Sequence, residues 1–314
     1  MLNHWWVTRP KRKLNSIPEV LSTFAELSLN QLWEGQRTSH LSLEEALESA
    51  GLKRQGERRD QGGGGARTYK AWLVSLGLIF TQESTKQIKL TLAGEAIMNG
   101  DSPVDVLKGQ ILKYQFPSAF SIGRNVNVSP RFKIHPFIFL LKLLMDDRIQ
   151  YLKTDEIANI IIVEAENETD TCFEYIVKRL LSYRNYGIEV LPVDFYERYG
   201  VKPESTNLSD VANTMMNWLD YTQLTYRENG KMYVVPERKK EVQDMITKHF
   251  PFIDRPENHE YFQRKYGIDP KHSKDTRNLI NTKTITSSML AEQQVMKAYI
   301  SLSLVKPITS IDAE

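Results

Sequence analysis

Two clusters of cations and a pair of amides are the residues whose types and spacing could do chemistry here, and that chemistry is the binding of a polyanion. Arg9, Lys11, Arg12 and Lys13 follow directly on Trp5-Trp6-Val7. Residues 53–70, KRQGERRDQGGGGARTYK, carry six Lys or Arg against two acids, among them Arg58, Arg59, Arg67 and Lys70. Asn213 and Asn217 stand one helical turn apart. Cations neutralise phosphates whatever the base sequence, while an Asn amide can pair with adenine and Lys can donate to guanine. Net charge is only +2, so such a role must come from local patches. Each feature also has a plainer reading. Residues 53–70 could be a solvated loop, Asn213 and Asn217 could simply face water, and Trp5 and Trp6 read as core beside a basic arm.

Other chemistries find little support. Metal-assisted phosphodiester hydrolysis needs two or three carboxylates on adjoining strands with a Lys beside them. Asp194 and Glu197 come nearest, but no strand carrying acid-x-Lys follows, so they read as surface carboxylates, as does the Asp146-Asp147 pair. His249, His259 and His272 are scattered and lack Cys partners for zinc. Gly62–Gly65 is not followed by the Lys-Ser or Lys-Thr of a phosphate-binding loop. The single cysteine, Cys172, has no basic partner in view and reads as a small core residue. It leaves no intrachain disulfide and fits a reducing cytoplasm. No apolar run approaches the ~20 residues that span a membrane, and no signal-peptide h-region follows the N-terminus.

Elements must hold these residues in place. With 41% apolar and 25% charged residues, 314 residues suffice for two or three domains with real cores. Ala71, Trp72, Val74, Leu76 and Leu78 predict a helix that Gly77 stops. Two β-prone runs, 78–80 and 88–91, flank a polar tip, and Leu92–Met98 is helical again. Ahead of these lie a helix from Ser16 with Pro18 in its first turn and a second over 42–50, capped by Ser42 with Glu45 three residues on. The glycines Gly62–Gly65 are expected to hold no regular structure and to place a mobile basic arm before the helix at 68. Helix, helix, helix, hairpin is a winged helix-turn-helix, whose third helix would enter a major groove with Thr68, Tyr69 and Lys70 leading.

The pattern returns later. Helices are expected from Ser102 with Pro103, from Phe137 to Met145, after a Thr154 cap, and over 172–183 with Phe173, Ile176, Val177, Leu180 and Leu181 on one face. Residues 208–219 are helical with Ser209 as cap. Gln223–Tyr226 and Lys231–Val235 flank Asn229-Gly230, a strong hairpin signal, 237–249 forms one more helix, and Thr282–Leu304 a long helix ending at Pro307. The fold expected is mainly α with small β-hairpin wings, two winged-helix units in tandem.

Segments in both halves carry a family likeness. ARTYKAWLVSLGLIF, LTLAGEAIM, DVLKGQILKYQFPS, IHPFIFLLKLL and DVANTMMNWLDYTQL with NGKMYVVPE, in that order, resemble the N-terminal DNA-recognition region of AlwI-type restriction endonucleases, over roughly residues 4–250. That family includes type IIS nicking enzymes. The resemblance implies two winged-helix subdomains, 1–115 and 116–250, reading an asymmetric site in double-stranded DNA. It also implies a helical linker over 251–314 toward a PD-(D/E)xK nuclease domain that cuts with Mg²⁺ at a fixed distance. No catalytic motif is visible in these residues. The expectation is therefore a chain that needs no cofactor itself, and Mg²⁺ enters only with a nuclease domain or a separate catalytic subunit. Two other readings stay open, a tandem winged-helix transcription regulator and a protein-binding module.

Overall fold

The computed structural model describes residues 1–55, 62–119, 121, 127–248, 250–254 and 258–268, so the helix expected over 282–304 lies outside the described residues. It is mainly helical with two small antiparallel sheets. The first half is α1 (Ile17–Ser28), α2 (Arg37–Ser49), α3 (Gly64–Ser75), β1 (Ile79–Thr81), β2 (Ile88–Leu90), α4 (Leu92–Met98) and α5 (Pro103–Leu112). Next come α6 (Pro136–Met145), β3 (Leu152–Lys153) and α7 (154–164), a helix whose middle, Ile157–Ile161, is a π-turn. Then follow α8 (Asp170–Tyr186), α9 (Phe195–Tyr199), α10 (Thr206–Tyr221), β4 (Thr225–Glu228), β5 (Lys231–Val234), α11 (Lys239–Ile246) and α12 (His259–Tyr266). Among the described residues no helix is long and apolar enough to cross a membrane.

The first unit departs from the sequence expectation in how its helices begin. α2 starts at Arg37, so Ser42 is interior and caps nothing. Its buried stripe, His40, Leu43, Glu44 and Leu47, begins with a histidine whose ring packs 4.3 Å from Trp33, and a hydropathy pattern does not count that residue as core. The glycine run is also ordered at its end. Gly63 turns at φ 81 and Gly64 and Gly65 belong to α3. A Cβ on Gly63 would lie 2.4 Å from the Cβ of His40, so the small residues let α2 and α3 approach closely. Glu44 of α2 then accepts the Ala66 N–H at 3.0 Å, which satisfies one of the orphan donors of the first turn of α3.

β1 and β2 pair with Phe80 opposite Lys89, and Leu29 and Leu32 bridge to Ile88 and Gln87, so the chain leaving α1 runs beside the hairpin. Thr91 closes the unit. Its hydroxyl donates to the Gly77 carbonyl at 2.6 Å and accepts the Gly94 N–H at 3.1 Å. Gly94 sits so close to β1 that a Cβ there would meet the Leu78 carbonyl oxygen at 2.0 Å. Backbone cannot step aside as a side chain can. Gly94→Ala should therefore lose about 2–3 kcal/mol of stability in urea unfolding. A loss below about 0.5 kcal/mol would show that the helix can shift freely.

In the second half, α6 is apolar nearly all round and is buried from Pro136 to Leu141. Phe137 stacks on Trp218 of α10 at 5.8 Å, and Tyr114, just after α5, meets both rings edge-on. One hydrophobic cluster thus runs from Trp5 and Trp72 through Phe137 to Trp218. On α8, Ile176, Val177, Leu180 and Tyr183 face inward, Cys172 is partly buried against the core, and Leu181 is exposed instead of buried. α10 is capped by Ser205, not Ser209, which lies a turn inside it. Thr154 is the first helical residue of α7 and not its cap. The Glu156 carboxylate accepts the Lys153 N–H there at 2.9 Å. Asn229 and Gly230 take φ of 49° and 73°, the left-handed pair that a two-residue hairpin needs. β3, too short to read from sequence, joins β5, and the sheet order is β3-β5-β4.

Candidate nucleic-acid interface

α10 buries Leu208, Val211, Ala212, Met215, Trp218 and Leu219. Its other side carries Asn207, Asp210, Asn213, Asn217 and Asp220 at three- and four-residue spacing, a polar stripe along one face. The N-terminal arm crosses its beginning. Trp5 is anchored in the core, its indole donating to the Ala165 carbonyl at 2.7 Å. Thr8 accepts from Ser75 of α3 at 3.2 Å, so the arm ties α3 to α10. Arg9 lies 4.2 Å over the Trp6 ring and donates to Asn207 at 3.0 Å, while Arg12 pairs with Asp210 at 2.6 Å. Lys11 and Lys13 have no partner among the described residues.

The hairpin holds the other end of the stripe. Arg227 on β4 meets Asp220 through Nε at 2.7 Å and donates from Nη2 to Asn217 Oδ1 at 3.0 Å. Thr225 donates to the second oxygen of Asp220 at 2.8 Å. Burial pushes the Asp220 carboxyl above its ordinary range, and the bonds from Thr225 and Arg227 oppose it. Beyond Arg227 the tip, Glu228 to Gly230, is exposed. Tyr226 and Tyr233 stack at 5.5 Å as cross-strand partners, with Tyr151 beside Tyr233 and Lys231 4.1 Å over Tyr151.

The structure brings the arm and α10 together and disperses other candidates. Tyr69 is buried, its hydroxyl donates to the Leu52 carbonyl at 2.8 Å, and burial pushes its pKa up to about 12. Lys70 is only 5% exposed, reaching Glu34 at 3.3 Å and lying 5.5 Å over the Trp33 ring. Neither can lead a helix into a groove. They face inward because they stand three and four residues before Trp72, Leu73 and Val74, which are buried. Arg67 and Thr68 are exposed on its first turn, bonded to the Gly62 and Gly64 carbonyls. Arg58 and Arg59 lie outside the described residues. Asn213 accepts a 3.4 Å bond from Thr154, and Asn217 Oδ1 is taken by Arg227.

The first hairpin is engaged by the chain's later part. Gln263 and Glu260 of α12 accept the Thr81 and Glu83 N–H groups at 3.1 and 2.8 Å, and Glu83 accepts the Glu260 N–H at 3.3 Å. Sequence reading had no signal for this contact, because it joins residues 177 positions apart.

The carboxylates singled out in the sequence are exposed or held in ion pairs. Asp194 is an exposed partner of Arg198 at 2.7 Å, which holds its pKa below the usual range, and Glu197 is exposed. Asp146 is bound by Arg148, which also reaches Glu174. Among the described residues no three His, Cys, Asp or Glu converge as metal ligands.

The fold is thus helical, with a polar stripe clasped by arginines from an arm and a hairpin. The family model of the AlwI restriction endonuclease matches residues 74–310, most of the chain, and the chain belongs to that family. The match begins near the end of α3, later than the likeness read from sequence, and runs well past residue 250. The fold is similar to that of the BpuJ1 endonuclease binding domain, solved in complex with pyrene- and phenanthrene-modified DNA. The TM-score is 0.54 and the identity 14%, over 89% of this chain and 95% of that one. No curated protein sequence matches the chain.

Proposed function

We propose that this chain binds double-stranded DNA sequence-specifically, as the recognition part of a type IIS restriction or nicking endonuclease. The observation that carries the reading is the α10 stripe with Arg9 and Arg12 at one end, Arg227 at the other and unpartnered Lys11 and Lys13 alongside. Family membership and a fold shared with an endonuclease binding domain support it. α1 to β2 form one winged helix. α6, β3, α7, α10, β4 and β5 form a second, with α8 and α9 inserted between its second and third helices. In the second, the third helix α10 faces the duplex, while in the first only Arg67 and Thr68, in the opening residues of α3, are exposed toward it. The two lysines hold phosphates, and groups on and beside α10 meet base edges.

Phosphodiester hydrolysis belongs to a PD-(D/E)xK unit, on a longer chain or a separate subunit, which would bring Mg²⁺. A metal-held nucleophile and charge neutralisation at the leaving oxygen need converging carboxylates. Incubated with supercoiled plasmid in Mg²⁺ or Mn²⁺, the 314-residue chain should shift the DNA on a gel and leave it intact. Nicking that disappears on Asp194→Ala or Glu197→Ala would make those carboxylates a catalytic centre after all. Absence of both binding and cutting would favour a protein-binding module.

A further inference from the structure

We propose that Arg227 reads a guanine in the major groove, with Asp220 and Asn217 as the positioning residues that aim it; this rests on the DNA-binding reading above. A guanidinium carries five N–H donors in a rigid plane. Asp220 engages Nε at 2.7 Å and Asn217 engages Nη2 at 3.0 Å, so both holders lie along one edge of that plane. The Nη1 pair and the second N–H of Nη2 have no partner among the described residues. Two parallel donors are thus left on the outer edge of a side chain whose rotamer is held from behind. Of the four bases only guanine offers two acceptors, O6 and N7, on its major-groove edge, and a bidentate arginine matches them.

Charge favours a base over a phosphate as the partner. The Asp220 carboxylate offsets the Arg227 cation, so little net field remains to attract a phosphate, whereas the directional donors persist. Lys11 and Lys13, with no carboxylate against them, are the opposite case. Arg227 also sits at the base of the exposed hairpin tip and against α10, where a wing and a third helix converge on a duplex. Asn217 therefore holds an arginine and does not pair with adenine.

The test is selection from a randomised duplex pool with the wild-type chain, Arg227→Lys and Asp220→Ala, followed by affinities for the selected duplex and for the same duplex with one guanine changed to adenine. The wild type should select a guanine that Arg227→Lys does not, with the guanine-to-adenine preference there falling about ten- to hundredfold. The salt slope should stay the same, because the charge is kept. Asp220→Ala should lower the same preference with Arg227 intact. Equal weakening of every duplex, or an unchanged guanine preference in Arg227→Lys, would make the cluster a structural ion pair and overturn the proposal. Failure of the wild type to bind any duplex would instead remove the DNA-binding reading itself.

Discussion

Replacing Arg184 by Met should destabilise the protein by about 3–5 kcal/mol, because it strands a buried carboxylate. Glu156 is 1% exposed. Arg184 meets it through Nε at 2.6 Å and Nη2 at 3.2 Å, donates from Nη1 to the Ile149 carbonyl at 2.9 Å, and also reaches the Tyr151 carbonyl. Its guanidinium lies 4.0 Å over the Tyr151 ring. Glu156 in turn accepts the Lys153 N–H. One side chain on α8 therefore fixes residues 149–156, which supply β3 to the sheet and bring Thr154 against Asn213 of α10. Loss of the cation leaves Glu156 unpaired away from water and two carbonyls without their donor. The double variant Arg184→Met with Glu156→Gln should recover part of the loss, since a buried pair is harmed most by removing one member. Urea unfolding of the three proteins measures this. A single-variant loss below about 1 kcal/mol would mean that water reaches Glu156.

Lys11→Ala with Lys13→Ala should weaken binding to every duplex about 50-fold at ~0.1 M salt and make the salt slope shallower by about two units. Each phosphate contact contributes roughly 0.9 to that slope, and the released counterions supply the affinity. The pair is a clean probe, since neither side chain bonds to a described residue and unfolding should stay within about 0.5 kcal/mol of wild type. Arg12→Ala should have a smaller effect, because Asp210 at 2.6 Å already offsets its charge. A slope unchanged in the double variant would turn the arm into a solvated segment and move the phosphate contacts elsewhere.

Local chemistry was legible where a few neighbouring residues decide it. Asn229-Gly230 needs left-handed backbone at both positions, Gly77 stops α3 at φ 69, and Leu92–Met98 begins where Thr91 caps it. Helix starts were harder. α2 has no side-chain cap at Gln36, so Ser42 looked like the beginning, and α10 offered two serines four residues apart. The glycine run looked unstructured because composition cannot show that His40 and Glu44 press against it. α3 begins at Gly64, so Tyr69 and Lys70 lie inside it and not at its start, three and four residues before the buried Trp72, Leu73 and Val74 and on the same packed faces. The types of residue in the candidate site were visible, but their pairing was not. Arg9 and Arg12 meet partners 198 positions away, and the role of Asn217 depends on a hairpin that folds back on its own helix.

The most direct test is an equilibrium titration of a fluorescent duplex of about 30 base pairs with the purified chain, repeated between about 50 and 200 mM salt. Duplex recognition through the arm and α10 predicts saturable binding whose log affinity falls with log salt by a slope of about −2 or steeper, with Lys11 and Lys13 alone supplying that much. No binding at about 50 mM salt, or an affinity indifferent to salt, would contradict it.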